Sequence, residues 1–551
     1  MPNTTSHFKR PVEHPFTRAE RDRVTLLFNG LTTAHDRLMA AGLRGLGYHA
    51  RPLPVPAKAD FQTGREYGNN GQCNPTYFTV GNLVNELTRL RDQEGLSTER
   101  ILADYVFVTA GTCGPCRFGM YEAEYRLALR NAGFDGFRVL IFDQTGGGEQ
   151  ATAGDGFEVN LQLLTTLLDA TLMGDLLNAL FFHIRPYATD ADAVARVRER
   201  CLETCEAALR GRDYRARPGL AARALRGLVP IRRAEDLQRL LDRVRGDDHL
   251  ESLRRCRELV ARELAVDYTR PKPVVKITGE FWAQTTEGEG NFRMFDFLEG
   301  EGAEVLVEPV ATWIDYLLHQ RRVAIEDRAG LGRSGLLARP RAHLRARRDR
   351  LLVNACERLL AREYRRMREA LGGTVQPLAD QLEMERVGHP FYNIRASGGE
   401  GYLEVAKNIY YFNRALAHLT LSLKPFGCMP STQSDGAQAA VMAYYPELNY
   451  LPVETSGEGD INAYSRVQMS LGEAKAQCKR EFEEAVARSG RPLEAIRAFV
   501  AQRPDLQSPI QAVPRQRGVV GRGANFVLHV AALMDREGIP RGESAAKEAT
   551  A

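Results

Sequence analysis

The sequence predicts an α/β fold: two parallel-sheet α/β domains with helical insertions. Three observations predict it. Short apolar strands alternate with amphipathic helices from residue 23 to residue 142. Over 157–266 the pattern turns wholly helical, with apolar residues three and four apart and many Arg and Glu between them. The strand–helix alternation then restarts at Pro271-Lys-Pro-Val-Val-Lys-Ile-Thr-Gly-Glu280. The expected organisation is a first α/β domain over 1–155, a helical insertion over 156–270, a second α/β domain with its own helical insertion over 271–485, and a C-terminal helix with a tail over 486–551.

In the first domain, residues 23–29 read as a strand, 34–46 as a helix and 50–55 as a short strand. Residues 60–75 read as a polar, glycine-rich loop, followed by a helix over 76–93. A βαβ unit then comprises a strand over 105–109, a cysteine loop, a helix over 121–131 and a strand over 137–142. In the second domain the expected elements are a helix over 292–301, a strand over 303–309 and an Arg-rich helical insertion to residue 370. A strand over 417–424, a helix from 435, a strand over 449–454 and a helix over 461–480 follow. One apolar helix over 524–534 precedes a tail whose last ten residues are expected to be disordered. Gly-Glu-Gly recurs at 288–290, 399–401 and 457–459, which is turn chemistry where strands end.

Composition narrows the function classes. The chain has 551 residues, 44% hydrophobic and 26% charged, the usage of a globular protein. A net charge of +4 gives no general attraction to nucleic acid. No uninterrupted apolar stretch approaches the roughly 18 residues of a membrane span, and the first ten residues lack an apolar core or cleavage pattern. Nine cysteines, an odd number without framework spacing, fit a reducing compartment, so a cytoplasmic location is expected.

Four of those cysteines stand apart. Cys113 and Cys116 lie in Gly111-Thr-Cys-Gly-Pro-Cys-Arg-Phe-Gly119, between a strand and a helix. Cys73 lies in Gly71-Gln-Cys-Asn-Pro75 and Cys428 in Lys424-Pro-Phe-Gly-Cys-Met-Pro-Ser431, each just ahead of a helix. A thiol there faces the positive end of a helix, which favours the thiolate that binds metal or attacks disulfides. Loops at the carboxyl ends of parallel strands border the ligand crevice, so the three loops can converge on one point. Iron–sulfur clusters are held by such thiolates, with loop amides stabilising the sulfurs. Two other chemistries compete. A Cys-Gly-Pro-Cys dithiol of the thioredoxin kind needs only Cys113 and Cys116 and leaves Cys73 and Cys428 without a role. A structural zinc site usually pairs two short Cys-x-x-Cys knuckles, and the chain has one. Cys201, Cys205, Cys256, Cys356 and Cys478 lie on helical faces and read as packing residues.

These motifs, with Gly279-Glu-Phe-Trp-Ala-Gln-Thr-Thr-Glu-Gly-Glu-Gly-Asn291 and Gly523-Ala-Asn-Phe-Val-Leu-His-Val530, resemble the 2-hydroxyacyl-CoA dehydratase / benzoyl-CoA reductase subunit superfamily. The closer likeness is to its branch related to the dehydratase activase (CoA enzyme activase) proteins, and it runs from about residue 20 to residue 535. The resemblance implies paired α/β domains around an iron–sulfur cluster, a 4Fe-4S or double-cubane cluster. It implies Cys73, Cys113, Cys116 and Cys428 as metal ligands. It also implies low-potential electron transfer to a bound small-molecule substrate, with an acyl-CoA as the candidate, after reduction by an ATP-hydrolysing activator protein of the actin/Hsp70-like fold. Dehydratase-type subunits use three cysteines per cubane and leave one iron open, whereas a double cubane needs six. If all four candidates bind, the cubane is closed and suits electron transfer; if Cys113 or Cys116 stays free, one iron is open to substrate. A non-catalytic, cluster-carrying electron-transfer partner is the alternative within this class, and whether the chain is itself an enzyme is left open.

Other motifs carry weaker signals. Glu280, Glu287 and Glu289 follow a strand and can flank the crevice, although carboxylates in such loops are usually solvated. Ser397-Gly-Gly-Glu-Gly401 and Gly146-Gly-Gly148 lack the spacing of a phosphate-binding loop. His389, before Pro390, reads as structural, and the basic run over 338–350, without aromatic neighbours, reads as a solvated helix face.

Overall fold

The computed structural model describes residues 14–111, 116–143, 155–211, 246–330 and 338–541. It is an α/β protein with two four-stranded sheets, all of whose strand pairs are parallel. The first sheet contains β1 (Thr25–Phe28), β2 (His49–Pro52), β3 (Tyr105–Gly111) and β4 (Val139–Asp143), in the order β2-β1-β3-β4. The second contains β5 (Val274–Gly279), β6 (Glu304–Leu306), β7 (Leu419–Pro425) and β8 (Tyr450–Thr455), in the order β6-β5-β7-β8. The two halves therefore repeat one topology. In each, the chain leaves the two central strands toward opposite edges, and that reversal opens a crevice at their carboxyl ends.

Register places the loop-bearing ends of the central strands. Leu27 of β1 stands beside Phe107 of β3, and Gly279 at the end of β5 stands beside Leu423 of β7. The central strands of the second sheet are buried along their whole length, as expected for parallel strands covered on both faces. Lys276 on β5 is fully buried, and its Nζ meets Glu308 at 2.7 Å.

Between the sheets, the chain contributes the helices Leu161–Ile184, Ala191–Arg210 and Asp248–Glu263. Leu161–Tyr187 is long and apolar enough to cross a membrane by composition, and 83% of its apolar window is buried within the fold. Leu176, Leu180 and Phe181 pack there against Ala34 and Leu38 of the helix Thr33–Gly45. The same core takes up Cys201, Cys205 and Cys256, each at most 1% exposed.

Two expected elements are corrected. Residues 60–75 are not one loop, because Lys58–Tyr67 is a helix packed on Asn74–Asp92. Its glycine serves close approach: a Cβ on Gly64 would stand 1.9 Å from the Tyr77 carbonyl oxygen, and one on Gly81 1.8 Å from that of Asp60. The helix expected from 435 begins at Met429, with Pro430 in its first turn, where the missing N–H costs nothing. The expected tail disorder and Gly146–Gly148 lie outside the described residues.

Candidate functional site: a thiol-lined cavity

Cys73, Cys116 and Cys428 line a single cavity of about 350 Å³ at the carboxyl ends of both sheets. Each cysteine is an N-cap: Cys73 for the helix Asn74–Asp92, Cys428 for Met429–Tyr444, and Cys116 for the short turn Arg117–Met120 that runs into Tyr121–Asn131. All three sulfurs thus sit where unpaired backbone N–H groups give a helix its positive end. Cys113 lies outside the described residues.

The loops are tied together across the two halves. Asn74 donates its backbone N–H to the Phe426 carbonyl at 3.0 Å, and within the first half Arg117 donates to the Gly71 carbonyl. Gly427, at φ +77, has the left-handed backbone that glycine tolerates best, and a Cβ there would stand 3.3 Å from Cys73 Cα. The Ser397–Gly401 segment closes another side. A Cβ on Gly399 would reach to 3.5 Å from Cys116 Cβ and collide with the Pro430 ring.

Hydroxyl groups surround the Cys73 sulfur, with Tyr121 Oη at 3.0 Å and Thr76 Oγ1 at 3.2 Å. The thiolate expected at these helix ends is not favoured: burial raises all three thiols above their ordinary value, Cys116 to about 12. The nearby carboxyl of Glu280 adds to each rise. A proton must therefore leave each sulfur before it can bind a metal. Among the described residues, no group of three or more His, Cys, Asp or Glu stands ready to hold a single metal ion.

Two carboxyls also line the cavity. Glu280 caps the helix Phe281–Thr285 by accepting from the Ala283 N–H at 2.9 Å, and burial raises it to about 7. Glu400 is raised to about 8, again chiefly by burial. One of its oxygens accepts from Gln284 Nε2 at 2.7 Å and lies 3.9 Å from Lys407 Nζ. Its other oxygen, Oε1, is buried without a hydrogen-bond partner. Trp282 and Trp313 supply apolar wall.

Glu400 is the residue that sequence patterns missed. Ser397-Gly-Gly-Glu-Gly401 looks like a turn, and so it is, but it delivers Glu400 to the N-cap of the buried helix Gly401–Asn413. The available signal was that helix, with apolar residues on every side and only Glu404, Lys407 and Asn408 as polar interruptions in its centre.

The remaining candidates fall elsewhere. Glu287 accepts from Thr33 N at 3.3 Å and from its hydroxyl, and Glu289 accepts from Lys58 N, so both join the two halves away from the thiols. His389 Nδ1 accepts from the Ile394 N–H at 3.4 Å, a structural contact. The basic run lies on the helix Ala338–Ala370, where Arg345, Arg347, Arg348 and Arg350 are exposed. Cys478 is buried as expected of a packing residue, whereas Cys356 is exposed and does not pack as the sequence reading has it. Compared with known proteins, the chain matches no family model and no curated sequence.

Proposed function

We propose that this protein carries an iron–sulfur cluster in the thiol-lined cavity and serves low-potential one-electron transfer. Three thiols, separated by long stretches of sequence yet lining one cavity at three N-caps, carry this conclusion. The donor set suits the group. Thiolates are soft ligands that select iron–sulfur chemistry, and helix ends offset their negative charge. Tyr121 and Thr76 are placed to donate hydrogen bonds to the Cys73 thiolate, a contact that tunes potential. Cys73, Cys116 and Cys428 would hold the cluster, with Cys113 as the fourth ligand if the site is closed. When bound, the cluster supplies a one-electron carrier of low potential.

The chain's own residues define what else happens at the cavity. Glu280 and Glu400, with affinities for protons near neutrality, hold a proton at the wall and can release it to a reduced substrate. The apolar wall around Trp282 and Trp313 excludes water from the same space. On this account the electron donor is an ATP-hydrolysing activator of the actin/Hsp70-like fold, and the substrate is a small molecule, with an acyl-CoA thioester first in line. Replacing cysteines tests the proposal. Cys73→Ala or Cys428→Ala abolishes iron binding in protein purified without air, whereas Cys201→Ala or Cys256→Ala retains it. Iron content unaffected by Cys73→Ala and Cys428→Ala would sink it.

A further inference from the structure

A second cavity, of about 200 Å³, lies beside the core helix Leu161–Ile184 and away from the thiols. Three guanidinium groups line it: Arg185 just after that helix, Arg198 from Ala191–Arg210, and Arg293 from the connection after β5. Their partners differ. Arg185 is occupied, pairing with Glu299 at 3.1 Å and lying over the Phe182 ring at 5.5 Å. Arg198 is not. Its side chain is 23% exposed, its ion pair is with Glu287 at 3.8 Å, and among the described residues none of its five N–H donors makes a hydrogen bond. Glu287 accepts from the N–H and hydroxyl of Thr33 at Oε2 and turns Oε1 toward Arg198. Burial disfavours the Arg198 charge, Glu287 and Glu199 support it, and Arg185 and Arg37 oppose it, leaving it lowered on balance. A half-buried guanidinium whose donors lack hydrogen-bond partners is placed to take an anion.

Arg293 supplies an independent observation. It and Phe292 adopt left-handed backbone, at φ 48 and φ 60, a conformation that non-glycine residues rarely take. The strain is held in place from both sides. The Phe292 ring is buried and its carbonyl accepts from Tyr464 Oη at 2.6 Å, while the Arg293 N–H donates to Gly288 at 2.8 Å. Strain maintained by its surroundings marks positions where a side chain must be presented in one place. Here that side chain is a guanidinium at the cavity rim, with Glu289 no nearer than 4.0 Å.

We propose that this cavity binds a phosphate group carried on a small organic body, gripped by the guanidinium forks of Arg198 and Arg293. Arginine forks match phosphate oxygens in pairs, which a point-charge lysine does not. The volume is several times the ~30 Å³ that one water occupies in the liquid, so it accommodates more than the anion. The Phe182 and Phe295 rings, 5.5 Å apart and edge to face, form an apolar surface for the organic part. The site also connects to the thiol cavity through one stretch of chain. Gly290 packs so closely on Trp282 that a Cβ there would stand 2.2 Å from the ring, and Trp282 lines the thiol cavity.

Isothermal titration of the purified chain with phenyl phosphate, inorganic phosphate and benzoate tests the proposal. Phenyl phosphate binds, inorganic phosphate binds more weakly, and benzoate binds weakest. Arg198→Gln lowers phenyl phosphate affinity by about tenfold or more, the size expected when a charge-assisted fork is lost. Arg293→Ala, at a side chain that is largely exposed, lowers it severalfold and carries the test if Arg198→Gln does not fold. Affinity unchanged in Arg293→Ala and Arg198→Gln, absence of phenyl phosphate binding, or benzoate binding as tightly as phenyl phosphate would each overturn it.

Discussion

Cys73 and Glu400 occupy equivalent places in the two halves of the molecule. Each is the N-cap of a helix between the second and third strands of its sheet, Asn74–Asp92 (followed by the short helix Thr98–Asp104) before β3 and Gly401–Asn413 before β7. Cys116 and Cys428 are matched in the same way, each following that third strand into the next helix. All four line the thiol cavity. At these four matched positions the repeated topology presents three thiols and one carboxyl to a common space, the second half having Glu400 where the first has a sulfur.

Removing the Glu400 side chain separates its structural and acid–base parts. Since burial raises it to about 8, the carboxyl is mainly protonated at pH 6, and its amide counterpart is close in shape and charge. Glu400→Gln should unfold within about 1 kcal/mol of wild type at pH 6, whereas Glu400→Ala should cost about 2–4 kcal/mol by leaving a cavity and the Gln284 amide without its partner. Urea unfolding at pH 6 measures both. Equal losses in the two variants would contradict the protonated carboxyl.

Gly427→Ala attacks the contact between the loops. A Cβ there meets Gln72 O at 3.1 Å and Cys73 Cα at 3.3 Å, and the backbone φ of +77 strains any larger residue. The substitution should lower stability by about 1–3 kcal/mol and reduce iron per chain, because it separates Cys428 from Cys73. Thermal melting and iron content read the two effects; unchanged iron content would remove Gly427 from the site.

Cys116 and Cys113 are separable as ligands. Cys116 lines the cavity, so Cys116→Ala should lose most of the bound iron. Cys113→Ala distinguishes a closed cluster from an open one: iron is lost if Cys113 is a ligand and kept if one iron is open. Retention of iron in Cys116→Ala would contradict the placement of that thiol.

Stability should also vary with pH through Asp36. This residue sits in the first turn of Thr33–Gly45, and burial raises it from 3.8 to about 7. The folded state therefore binds a proton that the unfolded state releases, and stability falls as pH rises from near 4 toward 7, by up to about 1.4 kcal/mol per pH unit. Asp36→Asn should flatten that slope in denaturant titrations at pH 5 and pH 8. An unchanged slope would place the proton elsewhere.

How legible the chain is depends on what each segment packs against. β3, β5 and β7 are short apolar runs bounded by turn residues, and the structure places strands on all three. Cys73 and Cys428 are legible as residues just before helices because Gly, Pro and Asn flank them. The helix Lys58–Tyr67 was hidden, since its buried face amounts to Asp60, Phe61 and Gly64 and its glycine reads as a loop signal until Tyr77 lies against it. Glu400 was hidden for the same reason, a functional side chain placed inside a glycine-rich turn. Arg198 gives no local signal at all. On an Arg-rich surface helix it resembles its neighbours, and the shape of the cavity alone sets it apart.

The most direct measurement is iron and acid-labile sulfide per chain in protein purified without air, combined with electron paramagnetic resonance after chemical reduction. The account predicts iron and sulfide in equal amounts, roughly four of each for one cubane, and a paramagnetic signal on reduction that air destroys. Metal-free protein with a Cys113–Cys116 disulfide, or protein holding zinc and no sulfide, would contradict it.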